Sequence, residues 1–389
     1  MRSFKIGSAF GIPIKLDLTF LLILPVFAWI IGSQVGEWVT ILNDLWGVGL
    51  TVGPLTQGSM PWVLGAVAAV GLFVGVVLHE LGHSLVAMRF GFPIDSITLW
   101  IFGGIASLSD QPEDWLEEFL IAIAGPAVSI ALGVLSFAAL YVVPAGMEAV
   151  RFVVGYLALM NIVLAAFNLL PGFPMDGGRV LRALLARTRP FAQATQTAAE
   201  VGKLFALLLG LFGLLQFNII LIGIAFFIYI GATSEAQQTV LAATFRDVQV
   251  RDVMTSAADL KTVERDDSVA DLLDRMLKER HTGYPVVEDG ALVGIVTLDD
   301  AREVPTVERD AYRVEDVMSD EVTTIPADSA AMDAFERLQQ NDIGRMPVVD
   351  ANGDLAGIIS RTDLMTAFNI IQSSGRLEEE ITTDQRQPM

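Results

Sequence analysis

Apolar residues fill the first 245 positions in long runs, then give way to short alternating and helix-like patterns in the remaining chain. Six stretches, 18–34, 61–88, 119–143, 152–170, 201–215 and 217–232, read as membrane-crossing helices. A hydrocarbon core of about 30 Å takes about 20 helical residues, so the last two are short and are expected to pair as a hairpin. Between the second and third spans, Ile97-Thr98-Leu99-Trp100-Ile101-Phe102-Gly103-Gly104-Ile105 is β-prone and too short to cross as a helix. It is expected either as a re-entrant strand or as an amphipathic interfacial segment. The predicted fold is thus a polytopic α-helical membrane protein of about six spans with a short re-entrant β segment, followed by a soluble α/β unit.

The soluble part contains an internal repeat. Asp252-Val253-Met254 recurs as Asp316-Val317-Met318, Pro285-Val286-Val287 as Pro347-Val348-Val349, and Gly294-Ile295-Val296 as Gly357-Ile358-Ile359. In each copy a helical pattern, 269–278 or 330–339, precedes two short strands. The expected organisation is a membrane domain over 1–235, a linker over 236–250, repeat copies over 251–305 and 315–369, and a disordered tail over 370–389.

Charge sharpens this division. The net charge is −20, and residues 246–389 hold 15 Lys and Arg against 31 Asp and Glu. An acidic, lysine-poor surface repels nucleic acid and suits a high-salt cytosol, hence the expectation of a halophilic source. There is no cysteine, so disulfides and thiolate metal sites are excluded and any metal must use His and carboxylate. Arg2, Lys5 and Lys15 precede the first span, and Arg179, Arg182, Arg187, Arg189 and Lys203 follow the fourth. The connection 36–60 has no basic residue, which places both termini in the cytoplasm. The arginines after the fourth span are read as topology determinants, and 191–197 as a cytoplasmic loop. The acidic residues of 110–118 are read as an interfacial helix start.

The chemistry is concentrated in His79-Glu80-Leu81-Gly82-His83, within the second apolar run. Two imidazoles at i and i+4 share a helix face and can reach one Zn²⁺, with Glu80 beside the first as general base. The chain has three histidines, and the third, His281, lies in the soluble part, where it reads as an ordinary surface residue. A third ligand must therefore be a carboxylate. Asp176 is the candidate: Pro171 and Pro174 break the fourth span and leave it in a turn at the same depth as the His pair. An ionisable residue there is costly unless paired or bound to a cation, although a solvated turn at the membrane surface would also accommodate it. Gly71, Gly75 and Gly125-Pro126-Ala127 read only as close helix contacts.

His79-Glu80-x-x-His83 together with Asn168-x-x-Pro171-x-x-Pro174-x-Asp176-Gly177 resembles the site-2 protease family of intramembrane zinc metalloproteases, over about residues 1–235. The resemblance implies that His79, His83 and Asp176 bind one zinc, that Glu80 is the catalytic base and that Asn168 hydrogen-bonds near the reacting water or oxyanion. It also implies that the strand around Gly103 and Gly104 holds extended substrate by strand addition. Branches with a PDZ domain carry it between the third and fourth spans, where this chain has only 143–151.

Residues 246–369 resemble a tandem pair of CBS (cystathionine-β-synthase-type) motifs. Such pairs bind adenosyl nucleotides, so the resemblance assigns ATP, AMP or S-adenosylmethionine contacts to Thr297 and Asp300 and to Ser360 and Asp363, with Arg345 and Arg361 as phosphate partners. A Ser/Thr-x-x-Asp box also caps a helix, and both copies could be doing only that. The expected function is hydrolysis of transmembrane segments of membrane proteins, modulated by nucleotide, in a multi-pass membrane protein that could form a homodimer through its CBS pair. The competing readings are a nucleotide-regulated transporter and an inactive metal-bound scaffold.

Overall fold

The structure, a computed structural model, describes residues 3–100, 103–108, 112, 114–288 and 290–384. Ile101 and Phe102 of the β-prone stretch and Asp110 of the acidic run lie outside the described residues. The chain divides into two compact units, Met1–Gln237 and Gln238–Met389.

The first unit opens with a hairpin that hydropathy alone did not reveal: β1 (Ser3–Ala9) and β2 (Ile12–Asp17) pair antiparallel. Phe10 and Gly11 form its two-residue turn at positive φ, as a tight hairpin requires. Asp17 caps helix α1 (Leu18–Ser33), its Oδ1 accepting from Thr19 N at 2.9 Å. After a 66° bend the chain continues as α2 (Val35–Trp46). Part of the connection 36–60 is therefore helical, and α3 (Val52–Thr56) adds a further turn.

Helix α4 (Met60–Arg89) is 30 residues long and crosses α1 through small residues. A Cβ on Gly65 would lie 2.2 Å from the carbonyl oxygen of Ala28. Lipid removes the hydrophobic drive for helices to associate, so such close approach supplies the contact. Next come β3 (Ile94–Trp100), parallel to β2, and β4 (Gly103–Leu108), antiparallel to β3. The strand expectation holds, within a four-stranded sheet of order β1-β2-β3-β4. Ile12 and Ile97 of the sheet pack on Leu81 of α4, which fixes the sheet against the His-Glu-x-x-His turn.

Helices α5 (Trp115–Ala139) and α6 (Glu148–Asn168) follow. Asp114 caps α5, its Oδ1 accepting from Leu116 N and Glu117 N, so the acidic run does open a helix. A tight turn leads into α7 (Asp176–Ala186), α8 (Phe191–Leu215) and α9 (Ile219–Thr244). The segment 191–197, expected as a loop, is the first part of α8. Its alanines and threonines lack the hydropathy of a span but hold the helical period, and Ala194, Thr195, Ala198 and Ala199 are buried. Among the described residues, five helices are long and apolar enough to cross a membrane, or six with the bent α1–α2 pair.

In the second unit, the stretch 236–250 expected as a linker is largely the end of α9 and core: Phe245 and Val250 are buried. The first copy contains α10 (Val250–Val253), β5 (Thr255–Ser256), β6 (Val263–Glu264), α11 (Val269–Glu279), β7 (Gly283–Glu288), β8 (Ala291–Thr297) and α12 (Leu298–Glu303). The second contains a 3-10 turn (Val314–Asp316), β9 (Ile325–Pro326), α13 (Ala331–Gln340), β10 (Arg345–Val349), β11 (Leu355–Ser360) and α14 (Arg361–Asp384). The Asp-Val-Met arms are exchanged between copies. Val250, Val253 and Met254 pack in the second copy's core, and Val314, Val317 and Met318 in the first. Correspondingly β5 pairs with β11, and Ser319 bridges to Ile295 of β8. Helix α14 extends to Asp384 across most of the stretch expected to be disordered, and 385–389 lie outside the described residues.

Candidate metal centre

Helix periodicity puts His79 and His83 one turn apart on the buried face of α4, 3% and 6% exposed. Asp176 enters the site as the first residue of α7. The turn before it is tightly folded: a Cβ on Gly177 would lie 2.2 Å from the carbonyl oxygen of Leu170, which explains the glycine after the aspartate.

The three side chains meet. His79 Nε2 lies 3.1 Å and His83 Nε2 3.2 Å from Asp176 Oδ2, and the two Nε2 atoms are 3.2 Å apart. Donors at 2.0–2.1 Å from a tetrahedral zinc stand about 3.3 Å from one another, so the set has the right size for that ion. Among the described residues it is the only group of three or more potential ligands drawn together in this way.

Helix α5 orients both rings. The Ile121 carbonyl oxygen lies 2.7 Å from His83 Nδ1 and, having no proton to give, must accept one from it. That leaves the His83 Nε2 lone pair toward the centre. Ser129 Oγ stands 2.9 Å from His79 Nδ1 and can accept in the same sense. Gly125, one turn of α5 from each, supplies the space: a Cβ there would lie 2.2 Å from His83 Nε2 and 2.7 Å from His79 Nε2. The sequence reading gave Gly125 only a packing role and missed Ser129 and the Ile121 carbonyl. A glycine-proline pair inside an apolar span was the available signal.

Glu80 points toward the sheet. A Cβ on Gly104 would lie 2.4 Å from Glu80 Cγ and 3.2 Å from Oε1, so β4 runs against the carboxylate. Gly104 pairs with Leu99 of β3, and among the described residues no strand pairs with the other edge of β4. Asn168, the last residue of α6, donates from Nδ2 to the Leu164 carbonyl at 3.1 Å and makes no described contact with the triad.

Three charged residues, Arg182, Glu118 and Glu235, form a group the sequence did not suggest. Arg182, expected as a topology determinant, is 2% exposed. Its Nε donates to Glu118 Oε1 at 2.6 Å and its NH1 to Glu235 Oε1 at 2.6 Å.

The repeat residues form the helix caps. Thr297 Oγ1 donates to Asp300 Oδ2 and Ser360 Oγ to Asp363 Oδ2, each at 2.7 Å, and the same carboxylate oxygens accept from the Thr297 and Ser360 amides. Arg345 reaches across the copies to the Gly283 carbonyl at 2.7 Å and Thr282 Oγ1 at 2.6 Å. Arg361 donates to the Leu338 carbonyl and to Asp342. His281 is exposed, as expected.

Comparison with known proteins gives the same division. The sequence matches peptidase family M50 over residues 67–146 and 144–209, and the CBS domain over 250–306 and 314–370. It is similar to a zinc metalloprotease of Methanocaldococcus jannaschii, 37% identical over 97% of this chain and 99% of that one. Among solved structures, the site-2 protease from Methanocaldococcus jannaschii is 36% identical, covering 60% of this chain and 95% of that one, with a TM-score of 0.41. CBSX2, solved in complex with AMP, is 31% identical, covering 32% of this chain and 98% of that one, with a TM-score of 0.29.

Proposed function

Because the chain belongs to peptidase family M50, the site-2 protease family of intramembrane zinc metalloproteases, we propose that it hydrolyses peptide bonds within transmembrane segments of membrane proteins, using His79, His83 and Asp176 as zinc ligands and Glu80 as base. The observation that carries this reading is the convergence of two imidazole nitrogens and one carboxylate oxygen within 3.1–3.2 Å, next to a carboxylate. His79, His83 and Asp176 would hold the ion, which would polarise the scissile carbonyl and acidify the attacking water.

Glu80 would take a proton from the attacking water as the water's oxygen bonds to the carbonyl carbon, and would return it to the leaving amine as the C–N bond breaks. Asn168 turns its amide from Leu164 to the developing oxyanion. Since a helix hides its carbonyls in i to i−4 bonds, the substrate unwinds before attack. The free edge of β4, with Gly103 and Gly104, pairs with the unwound segment and presents it beside Glu80. Both termini are cytoplasmic, which puts the cut near the cytoplasmic side of the substrate.

The CBS pair binds an adenosyl nucleotide such as ATP or AMP and sets the rate of cleavage, which requires different nucleotide affinity in the two activity states. Each capping carboxylate, Asp300 and Asp363, uses Oδ2 in its box, and the ribose hydroxyls take Oδ1. Arg345 and Arg361 supply phosphate contacts, and the pair also mediates a homodimer. The acidic surface of this unit adapts it to high salt.

The test is cleavage of a transmembrane reporter by detergent-purified protein. Glu80→Gln should abolish cleavage while zinc remains bound; persistent cleavage would remove Glu80 from its role. Equal rates with and without ATP, AMP or S-adenosylmethionine, despite measured binding, would remove the regulatory role.

A further inference from the structure

We propose that Arg182 is a positioning residue for Asp176: it ties α7, which carries that ligand, to α5, which orients both histidines. The inference rests on the metal-site reading above. Helix α5 supplies the Ile121 carbonyl and Ser129 Oγ to the two imidazoles, and its Glu118 lies one turn before Ile121. Arg182 Nε and NH2 both reach Glu118 Oε1, at 2.6 and 2.5 Å. Both nitrogens meet the one oxygen, in a charge-assisted contact between two buried side chains, while Glu118 Oε2 has no hydrogen-bond partner among the described residues.

The same guanidinium holds the turn that delivers Asp176. Its carbon lies 5.1 Å from the ring centre of Phe173, three residues before Asp176, and 4.7 Å from that of Phe191 at the start of α8. Its NH1 meets Glu235 of α9. Thus one side chain on α7 contacts α5, α8, α9 and the turn. Glu118 is 1% and Arg182 3% exposed at the side chain, so neither is held by solvent, whereas Glu235 is 28% exposed. A topology-setting arginine needs none of these partners.

Asp176 closes the metal site only if α7 and α5 keep their spacing to a few tenths of an ångström, because its Oδ2 must meet two nitrogens already fixed from α5. Loosening the tie should therefore act on metal affinity through the third ligand. Residues that orient ligands in this indirect way typically change metal affinity by about 10- to 100-fold.

The experiment uses full-length protein loaded with Co²⁺, whose visible absorption reports the number and kind of ligands. Wild type, Asp176→Ala, Arg182→Gln, Asp176→Ala/Arg182→Gln and the charge-pair variant Glu118→Gln/Arg182→Met are titrated against a competing chelator. The charge-pair variant removes both buried charges together, so it folds without a stranded carboxylate yet still lacks the tie. Arg182→Gln and the charge-pair variant should each lose about tenfold or more in Co²⁺ affinity and shift toward the spectrum of Asp176→Ala. In the Asp176→Ala background, Arg182→Gln should add little, whereas a merely structural arginine would weaken the remaining two-histidine site as well. Wild-type affinity and spectrum in a folded Arg182 variant would overturn the proposal. A folded wild type that binds no Co²⁺ would overturn the metal-site reading beneath it.

Discussion

The membrane unit and the CBS unit use ionisable residues in opposite ways. Residues 1–245 carry 24 charged side chains and residues 246–389 carry 46, although the second stretch is much shorter. In the first, a few are wholly or partly buried and converge: His79, His83 and Asp176 on one point, and Glu118, Arg182 and Glu235 on another. In the second, the pairs lie near the surface, whether local, such as the Thr297–Asp300 and Ser360–Asp363 boxes and the exposed Lys278–Asp274 pair, or distant in sequence, such as Arg265–Glu315. Where a charge is expensive to place, its presence points to chemistry; where it is cheap, the same residue is first a helix cap.

The strongest challenge to this contrast is Glu80→Gln, which should lower reporter cleavage by about 10²- to 10⁴-fold, the usual range for loss of a general base. Cleavage assays with zinc content measured on the same samples check it, and an active variant would show that the buried carboxylate is not used chemically. Next is Gly125→Ala. Its new Cβ would meet both imidazoles, so metal affinity should fall on the order of 10- to 100-fold, read by chelator competition. Full affinity in this variant would mean that α5 does not hold the imidazoles in the way described.

In the CBS unit, Thr297→Ala and Ser360→Ala should each cost about 1 kcal/mol of stability, the ordinary value of an N-cap, seen as a lowered unfolding midpoint. If nucleotide affinity falls as well, the boxes serve a ligand in addition to their helices; if only stability changes, the two units differ as sharply as the charge pattern suggests. The smallest effect is at Asp350. The amides of Asn352 and Asp354 hold its carboxyl below the ordinary 3.8. A depressed folded value means that this stabilisation is present above about pH 4 and is lost as pH falls through the lower, folded value. Asp350→Asn should remove that acid-limb dependence while its side-chain oxygen keeps the turn, a difference read from unfolding midpoints between about pH 4 and pH 2.

The same contrast governs what the sequence made legible. The second, third and fourth spans were readable because their apolar runs exceed a bilayer's requirement, and the His pair and Asp176 because motif spacing and helix direction place them together. The start of α8 was not, since its Ala-Gln-Thr composition lacks hydropathy although its periodicity is helical. The β1–β2 hairpin was missed although Phe4 and Ile6, and then Ile12, Ile14 and Leu16, recur at every second position, a strand period too short to stand out beside the long apolar runs that follow. Gly125, Ser129 and the Ile121 carbonyl lie outside the motifs, and their role arises from where α5 crosses α4. The link between Arg182 and Glu118 spans 64 positions and leaves no local pattern.

The most direct measurement is the zinc content per chain of detergent-purified wild type and Asp176→Ala. About one zinc in the wild type and a large loss in the variant is the predicted result. Equal zinc in both, or none in well-folded wild type, would contradict the three-ligand site.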